Sequence, residues 1–279
     1  MKVSRIGFGG APAGIPKYLG PEDRDSPEFQ ENVLAALRQA LESGVTYFDT
    51  APGYGDGRAE RLYGQALEPR RDSIVLATKY FYDDGWTPEK GTARLKESLD
   101  RLKTGTVDVL QYHGSFFNDE LADRIVKSGP LDWADEMRAK GYCRHLGITA
   151  EAPSGGLERL LRTGRFETVL VAYNLIYQCW CDYQREPVGL IPLARSLGLG
   201  IAVMRPATSG FLQKLLAGEF PGVDAARVAR LAINFVLSTP EVDCAVVGMR
   251  NPREVADNVA LADDPAARLN VRELHDRFD

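Results

Sequence analysis

Eight times along the chain a short apolar run of β-type residues is followed by a stretch with helical spacing, at intervals of roughly thirty residues. The runs are 5–9, 45–49, 73–78, 107–113, 142–149, 167–174, 200–204 and 243–248. The helical stretches are 29–43, 58–67, 87–103, 131–140, 154–162, 186–197, 225–238 and 252–261. In the first of these, Val33, Leu34, Leu37 and Leu41 recur near three- and four-residue spacing, and Gly44 marks the stop. A strand whose successor is reached through a helix pairs with it in parallel. The runs are almost continuously apolar, as strands covered on both faces must be. No linker or low-complexity tract interrupts the rhythm. Eight pairs in 279 residues therefore predict an α/β fold, one domain over 1–279, closed as an eight-stranded parallel βα (TIM) barrel rather than an open sheet.

The charge pattern narrows the function classes. The net charge is −5 with acidic and basic residues interspersed, which gives no field for nucleic acid. No apolar run approaches the roughly eighteen residues of a membrane span. Gly and Pro follow the first five residues, where a signal peptide needs an apolar segment, so a cytoplasmic protein is expected. Cys143 and Cys244 fall in strand runs and read as buried thiols. Cys179 and Cys181 flank Trp180 with a spacing that suits neither a zinc framework nor a redox pair, so no metal is predicted. Composition leaves the oligomeric state open.

Three segments carry chemistry. Tyr47-Phe48-Asp49-Thr50-Ala51-Pro52-Gly53-Tyr54-Gly55, Ala77-Thr78-Lys79 and Gln111-Tyr112-His113 stand at or just beyond the ends of three successive strand runs. In a parallel barrel those ends converge on one face, where active sites sit. Asp49, Tyr54, Lys79 and His113 would meet there. A phenol beside an ammonium is a proton donor whose pKa, about 10 when free, is expected to move down toward the working range. Taken singly, each residue has an ordinary explanation: a turn cap, a turn aromatic, a lysine reaching for water, a structural histidine. Their order along the strands is what points to catalysis. His145, inside a strand, and His275, in the tail, read as structural or surface residues. Gly7-Phe8-Gly9-Gly10-Ala11-Pro12 begins like a dinucleotide fingerprint, but Pro12 takes the third glycine position, so any nucleotide site is not of the Rossmann kind.

This ordered set resembles the aldo-keto reductase family, from Arg5 to about Asn258. The resemblance implies an NAD(P)H-dependent oxidoreductase that reduces an aldehyde or ketone, or oxidises the corresponding alcohol, by hydride transfer. It implies Tyr54 as the general acid, Lys79 as the charge that tunes it, Asp49 as the holder of Lys79, and His113 as the donor that orients the substrate oxygen. Relatives often bind the nicotinamide carboxamide with Ser-Asn and Gln; the matching positions here are Thr149-Ala150 and Leu170, of which Thr149 keeps one hydrogen bond. Met204 or Arg205 would cover the ring, and Arg205 would reach the pyrophosphate. The segment from Val246 to Asn258 matches the family's adenosine-binding stretch. Gly248 and Glu254 stand where relatives hold a 2′-phosphate with Lys and Arg, Arg250 and Arg253 are placed to compensate, and Asp257 and Asn258 fit the adenine contacts. On that basis NADPH is the expected cofactor, with NADH the other possibility. No cysteine cluster for an iron–sulfur centre is present.

The substrate reads as a small carbonyl compound or sugar. Tyr18, Tyr80, Phe81, Tyr82, Trp86, Phe116, Phe117 and Trp180 are candidates to line its pocket. Segments 7–12 and 49–52 resemble sugar-oxidising members such as galactose and fucose dehydrogenases, which makes an NAD-dependent aldose dehydrogenase one alternative. The altered carboxamide positions leave a second alternative, a non-catalytic nucleotide-binding barrel of the kind found among potassium-channel β subunits. A metal-dependent hydrolase would need a histidine and carboxylate cluster that the sequence lacks.

Overall fold

All eight apolar runs form strands, and these pair in chain order, all parallel, until the last closes on the first. The computed structural model describes residues 1–18, 20–181 and 188–276. The strands are β1 (Ile6–Gly9), β2 (Tyr47–Asp49), β3 (Val75–Tyr80), β4 (Val107–His113), β5 (Cys143–Ala150), β6 (Thr168–Ala172), β7 (Gly200–Met204) and β8 (Cys244–Gly248). After β1 come α1 (Ala11–Gly14) and α2 (Pro27–Glu42); after β2, α3 (Arg58–Leu67); after β3, α4 (Pro88–Arg101). After β4 come α5 (Asp119–Lys127) and α6 (Pro130–Ala139); after β5, α7 (Gly155–Arg162); after β6, α8 (Leu190–Ser196). After β7 come α9 (Phe211–Glu219) and α10 (Ala225–Leu237), and after β8, α11 (Pro252–Ala262) and α12 (Val271–Asp276).

Local chemistry sets the helix starts. The side chains of Ser26, Thr87, Ser154 and Asn251 accept hydrogen bonds from backbone N–H groups of the first turns of α2, α4, α7 and α11. Pro27, Pro88 and Pro252 then occupy first-turn positions whose N–H needs no partner.

Four helices were not legible in the periodicity: α1, α5, α9 and α12. They are short, and α5 shows its signal only as Asn118, which accepts from Leu121 N at 2.8 Å, ahead of Asp119 and Glu120. β6 ends earlier than its apolar run because Asn174 Oδ1 accepts from the N–H groups of Ile176 and Tyr177 and turns the chain away. The start expected for α8, Glu186, lies outside the described residues, as does the side chain of His275.

The pleat of the strands sorts side chains between two layers. Tyr47, Ala77, Val109, Leu170, Ala202, Cys244 and Val246 fill the barrel interior. Phe8, Phe48, Leu76, Leu110, Ile148 and Val203 alternate with them and pack outward against the helices. Two residues further along β2, β3 and β4, the inward positions are Asp49, Lys79 and Gln111, all buried. The barrel thus has an apolar floor and a polar layer above it, at the C-terminal ends of the strands. Cys143 and Cys244 are buried as expected, and no disulfide forms among the described cysteines. No helix of the described residues is long and apolar enough to cross a membrane.

Candidate active site

Asp49 closes β2 and Lys79 is the penultimate residue of β3, so parallel pairing brings them together inside the barrel mouth. Lys79 Nζ donates to Asp49 Oδ1 at 2.9 Å, to Asp49 Oδ2 at 2.7 Å and to the Thr50 carbonyl at 2.7 Å. Both residues are buried, and the full set of partners is what makes a buried ion pair tolerable. Gln111 Nε2 donates to Asp49 Oδ1 at 2.7 Å.

Tyr54 rides on the turn after β2. Gly55 and Gly57 take left-handed φ values of 66° and 76° there, which only glycine adopts without strain. The turn places the Tyr54 ring 4.9 Å from Lys79 Nζ, measured to the ring centroid. His113, the last residue of β4, meets that ring edge-on with centroids 6.0 Å apart, and Phe81 lies against His113 at 4.5 Å.

These four residues influence one another's ionisation. Burial pulls the Lys79 ammonium toward losing its proton, but the Asp49 carboxylate and the Tyr54 oxygen outweigh it, and the net direction is up. Burial likewise pushes the Tyr54 phenol up; Lys79 acts against this as a charge and as a hydrogen-bond donor, and does not reverse it. The expected net lowering of Tyr54 is therefore corrected: a buried phenolate loses more hydration than one ammonium returns. The phenol is held neutral, with its proton available. His113 is pushed down to about 3, first by burial and then by Lys79, so its imidazole is neutral and presents a neutral N–H donor. Its Nδ1 is buried without a hydrogen-bond partner.

A cavity of about 370 Å³ opens over this layer, lined by Tyr54, His113, Thr149, Met204, Arg205 and Gly248 among others. Asp49 also reaches it, whereas Lys79 lies beneath. A second cavity of about 780 Å³ at the opposite end of the barrel is lined by Tyr47, His145 and Cys244. There His145 is paired with Glu167, Arg195 with Asp243 at 2.8 Å, and Arg5 donates to the carbonyls of Leu237 and Asp243. Among the described residues no group of three or more His, Cys, Asp or Glu side chains is placed to hold a metal.

The expected cofactor residues divide in two. Thr149, Arg205 and Gly248 line the cavity. The Thr149 hydroxyl donates to Gly114 O at 2.8 Å and accepts from Gly114 N at 3.0 Å, so its proton is already spent on the β4 loop. Arg205 has a left-handed φ of 59° and donates to Glu151 Oε1 at 2.7 Å. Ala150 packs outward and Leu170 lies in the apolar floor. Arg250, Arg253, Asp257 and Asn258 lie outside the cavity, on the segment that starts α11. Arg250 donates to Glu254 at 2.8 Å and to Glu22 at 2.7 Å. Arg253 is almost fully exposed, 4.0 Å from Asp257, and Asn258 donates to the Glu254 carbonyl at 2.7 Å.

Of the eight aromatic candidates, only Tyr18 and Phe81 line the cavity. Tyr80 and Trp86 pack on Trp133, Tyr82 on Trp86, and Phe117 on Tyr112; Trp180 is fully buried. These rings fill the layer between barrel and helices, and Phe116 is exposed. The sequence reading missed Gln111 and Glu151 as parts of the site. Gln111 had a signal: it has the same strand parity as Val109 and His113, and an amide inside a barrel needs a polar partner.

A nicotinamide end fits this mouth. Met204, Val246 and Val247 offer an apolar wall, and Gly9, Gly10 and Gly248 leave the strand ends uncovered. A Cβ on Gly9 would crowd Val246 at 3.2 Å, and one on Gly10 would meet Asp49 O at 3.0 Å.

Comparison with known proteins gives a consistent picture. Residues 5–227 match the aldo/keto reductase family profile. L-galactose dehydrogenase of Arabidopsis thaliana is 28% identical, over 93% of this chain and 84% of that protein. The Bacillus subtilis oxidoreductase YqkF is 25% identical, over 92% and 94%. An aldo/keto reductase from Klebsiella pneumoniae, solved in complex with NADP and acetate, superimposes with a TM-score of 0.71 at 24% identity, covering 98% of this chain and 90% of that one.

Proposed function

This chain belongs to the aldo/keto reductase family of NAD(P)-dependent oxidoreductases, and we propose that it moves hydride between a nicotinamide cofactor and the carbonyl carbon of a small aldehyde, ketone or sugar, with Tyr54 as the proton donor. The observation that carries this reading is the neutral Tyr54 phenol at the cavity wall, with the Lys79–Asp49 pair behind it and neutral His113 beside it.

When bound, the reduced nicotinamide supplies the hydride. The residues of the chain supply the rest. His113, uncharged, donates an N–H to the substrate oxygen and fixes the carbonyl plane. Tyr54 Oη gives its proton to the same oxygen as negative charge develops there. Lys79 stabilises the phenolate left behind, and Asp49 keeps Lys79 charged and in place. In the oxidative direction the phenolate takes the alcohol proton.

Of the residues that line the cavity, Thr149 would face the nicotinamide carboxamide, Arg205 the ring or the pyrophosphate, and Gly248 the start of the adenosine-side segment. The NADPH expectation depended on Arg250 and Arg253 being available to a 2′-phosphate. Arg250 is engaged by Glu254 and Glu22, so a phosphate would have to displace a carboxylate, whereas carboxylates accept hydrogen bonds from ribose hydroxyls. This favours NADH. The likeness to L-galactose dehydrogenase supports a second reading, oxidation of an aldose by the same residues.

The experiment is paired: turnover and nucleotide binding in the native protein and in Tyr54→Phe. Removal of a general acid is expected to cost about 10²–10⁴ in kcat while NADH fluorescence titrations superimpose. Nucleotide binding without any turnover in the native protein would favour the non-catalytic barrel instead.

A further inference from the structure

We propose that Gln111 is a positioning residue for the proton donor: its amide occupies one oxygen of Asp49 and so leaves the Lys79 ammonium a proton for the Tyr54 hydroxyl. The inference rests on the reading of Tyr54 as acid and base. An ammonium has three N–H donors. Three acceptor oxygens surround Lys79 Nζ: Asp49 Oδ1 at 2.9 Å, Asp49 Oδ2 at 2.7 Å and Thr50 O at 2.7 Å. Serving each with its own proton would leave none for Tyr54. Gln111 Nε2 approaches Oδ1 at 2.7 Å, closer than Lys79 does. Oδ1 is then satisfied by a neutral donor. Lys79 then spends one proton on Oδ2 and one on Thr50 O, and the third is released for the Tyr54 side, where the ring centroid lies 4.9 Å from Nζ.

The fold makes room for this amide. Strand register places Gln111 between Lys79 on β3 and Gly147 on β5. A Cβ on residue 147 would lie 3.0 Å from Gln111 Cγ, so the absent side chain is the space that the glutamine fills. Gln111 is 1% exposed and does not line the cavity, so it acts through Asp49 and Lys79 rather than on substrate.

Two variants of the full chain separate positioning from filling, with 4-nitrobenzaldehyde and NADH or NADPH as the reduction assay. Gln111→Met keeps the volume and removes the donor. It is expected to lower kcat about tenfold or more, the worth of a hydrogen bond to a charged group. KM and nucleotide Kd should stay within about twofold, since nothing in the cavity changes. Gln111→Glu keeps the shape and adds a pH signature. Beside Asp49 its carboxyl holds a proton to unusually high pH, because two adjacent carboxylates resist ionising together. Below about pH 6 it donates to Asp49 and kcat approaches the native value; above that it becomes an acceptor and kcat falls, while the native profile stays flat.

Native kcat in Gln111→Met, or no recovery of Gln111→Glu on acidification, overturns the proposal. If Gln111→Met does not fold, Gln111→Glu decides alone. A native protein that turns nothing over, or a Tyr54→Phe variant that keeps native kcat, would instead overturn the catalytic reading of Tyr54 on which the proposal stands.

Discussion

Gly14 packs so closely on the backbone of Tyr54 that a Cβ at residue 14 would lie 2.1 Å from the Tyr54 carbonyl oxygen. The contact joins the short helix after β1 to the turn after β2, and Arg58 reinforces it by donating to Gly14 O at 2.9 Å. Tyr54 is thus held from outside its own loop.

Gly14→Ala should push the Tyr54 turn out of place. Overpacking of this kind costs about 1–3 kcal/mol of stability. The displaced phenol should lower kcat by about tenfold or more, since small misplacements of a reacting group are expensive. Urea melts and steady-state kinetics on one preparation check both parts. Native kcat in a destabilised variant would show that the contact only packs.

The depressed pKa of His113 has a stability consequence. Its folded value is about 3 against 6.5 for the free side chain. Between those values the unfolded chain holds a proton that the folded chain does not, so stability falls as pH falls through this window. The contribution reaches about 2–3 kcal/mol by pH 4. His113→Phe lacks it, so the variant should lose less stability than the native protein between pH 7 and pH 4. Parallel losses in the two urea-melt series would contradict this.

Catalytic pH dependence follows from the same two groups. Tyr54 stays protonated to above its ordinary value of 10 and His113 stays neutral down to about 3. Neither should titrate between pH 5 and 9, so kcat/KM for reduction should be flat there and fall only in strong alkali, as the phenol loses its proton. A bell centred near neutrality would require another acid and base.

The Lys79–Asp49 pair should show strong coupling. Lys79→Met strands a buried carboxylate, a change that costs about 3–5 kcal/mol. Adding Asp49→Asn to the same chain removes that stranded charge and should recover part of the loss. Additive destabilisation in this double-mutant cycle would mean that the two side chains act independently.

Cofactor choice should turn on Glu254. Glu254→Gln releases Arg250 from one of its two carboxylates and is expected to raise affinity for NADPH relative to NADH by about tenfold, the scale of one charge-assisted contact. Fluorescence titration with both nucleotides reads the ratio directly. An unchanged ratio would remove Arg250 from the nucleotide site.

Much of this was legible beforehand because it is local or periodic. The alternation of apolar runs and helical stretches implied eight strands and a closed parallel sheet. Each of Asp49, Lys79 and His113 stands at or within a residue of a strand end, a position readable from the end of its apolar run. The aromatic residues were not sorted correctly. Tyr80, Trp86 and Phe81 are near neighbours in sequence, yet only Phe81 faces the cavity, and that depends on how the β3 loop folds onto Trp133.

The sequence by itself determined the barrel and the four residues at its mouth, because periodicity and strand ends are properties of a few consecutive positions. Only the tertiary structure decided what those residues experience. Whether Tyr54 rises or falls depends on burial set against one ammonium, and whether Arg250 is free depends on Glu22, 228 positions away. Desolvation and ion pairing are sums over neighbours in space, and closing the barrel is the step that chooses those neighbours.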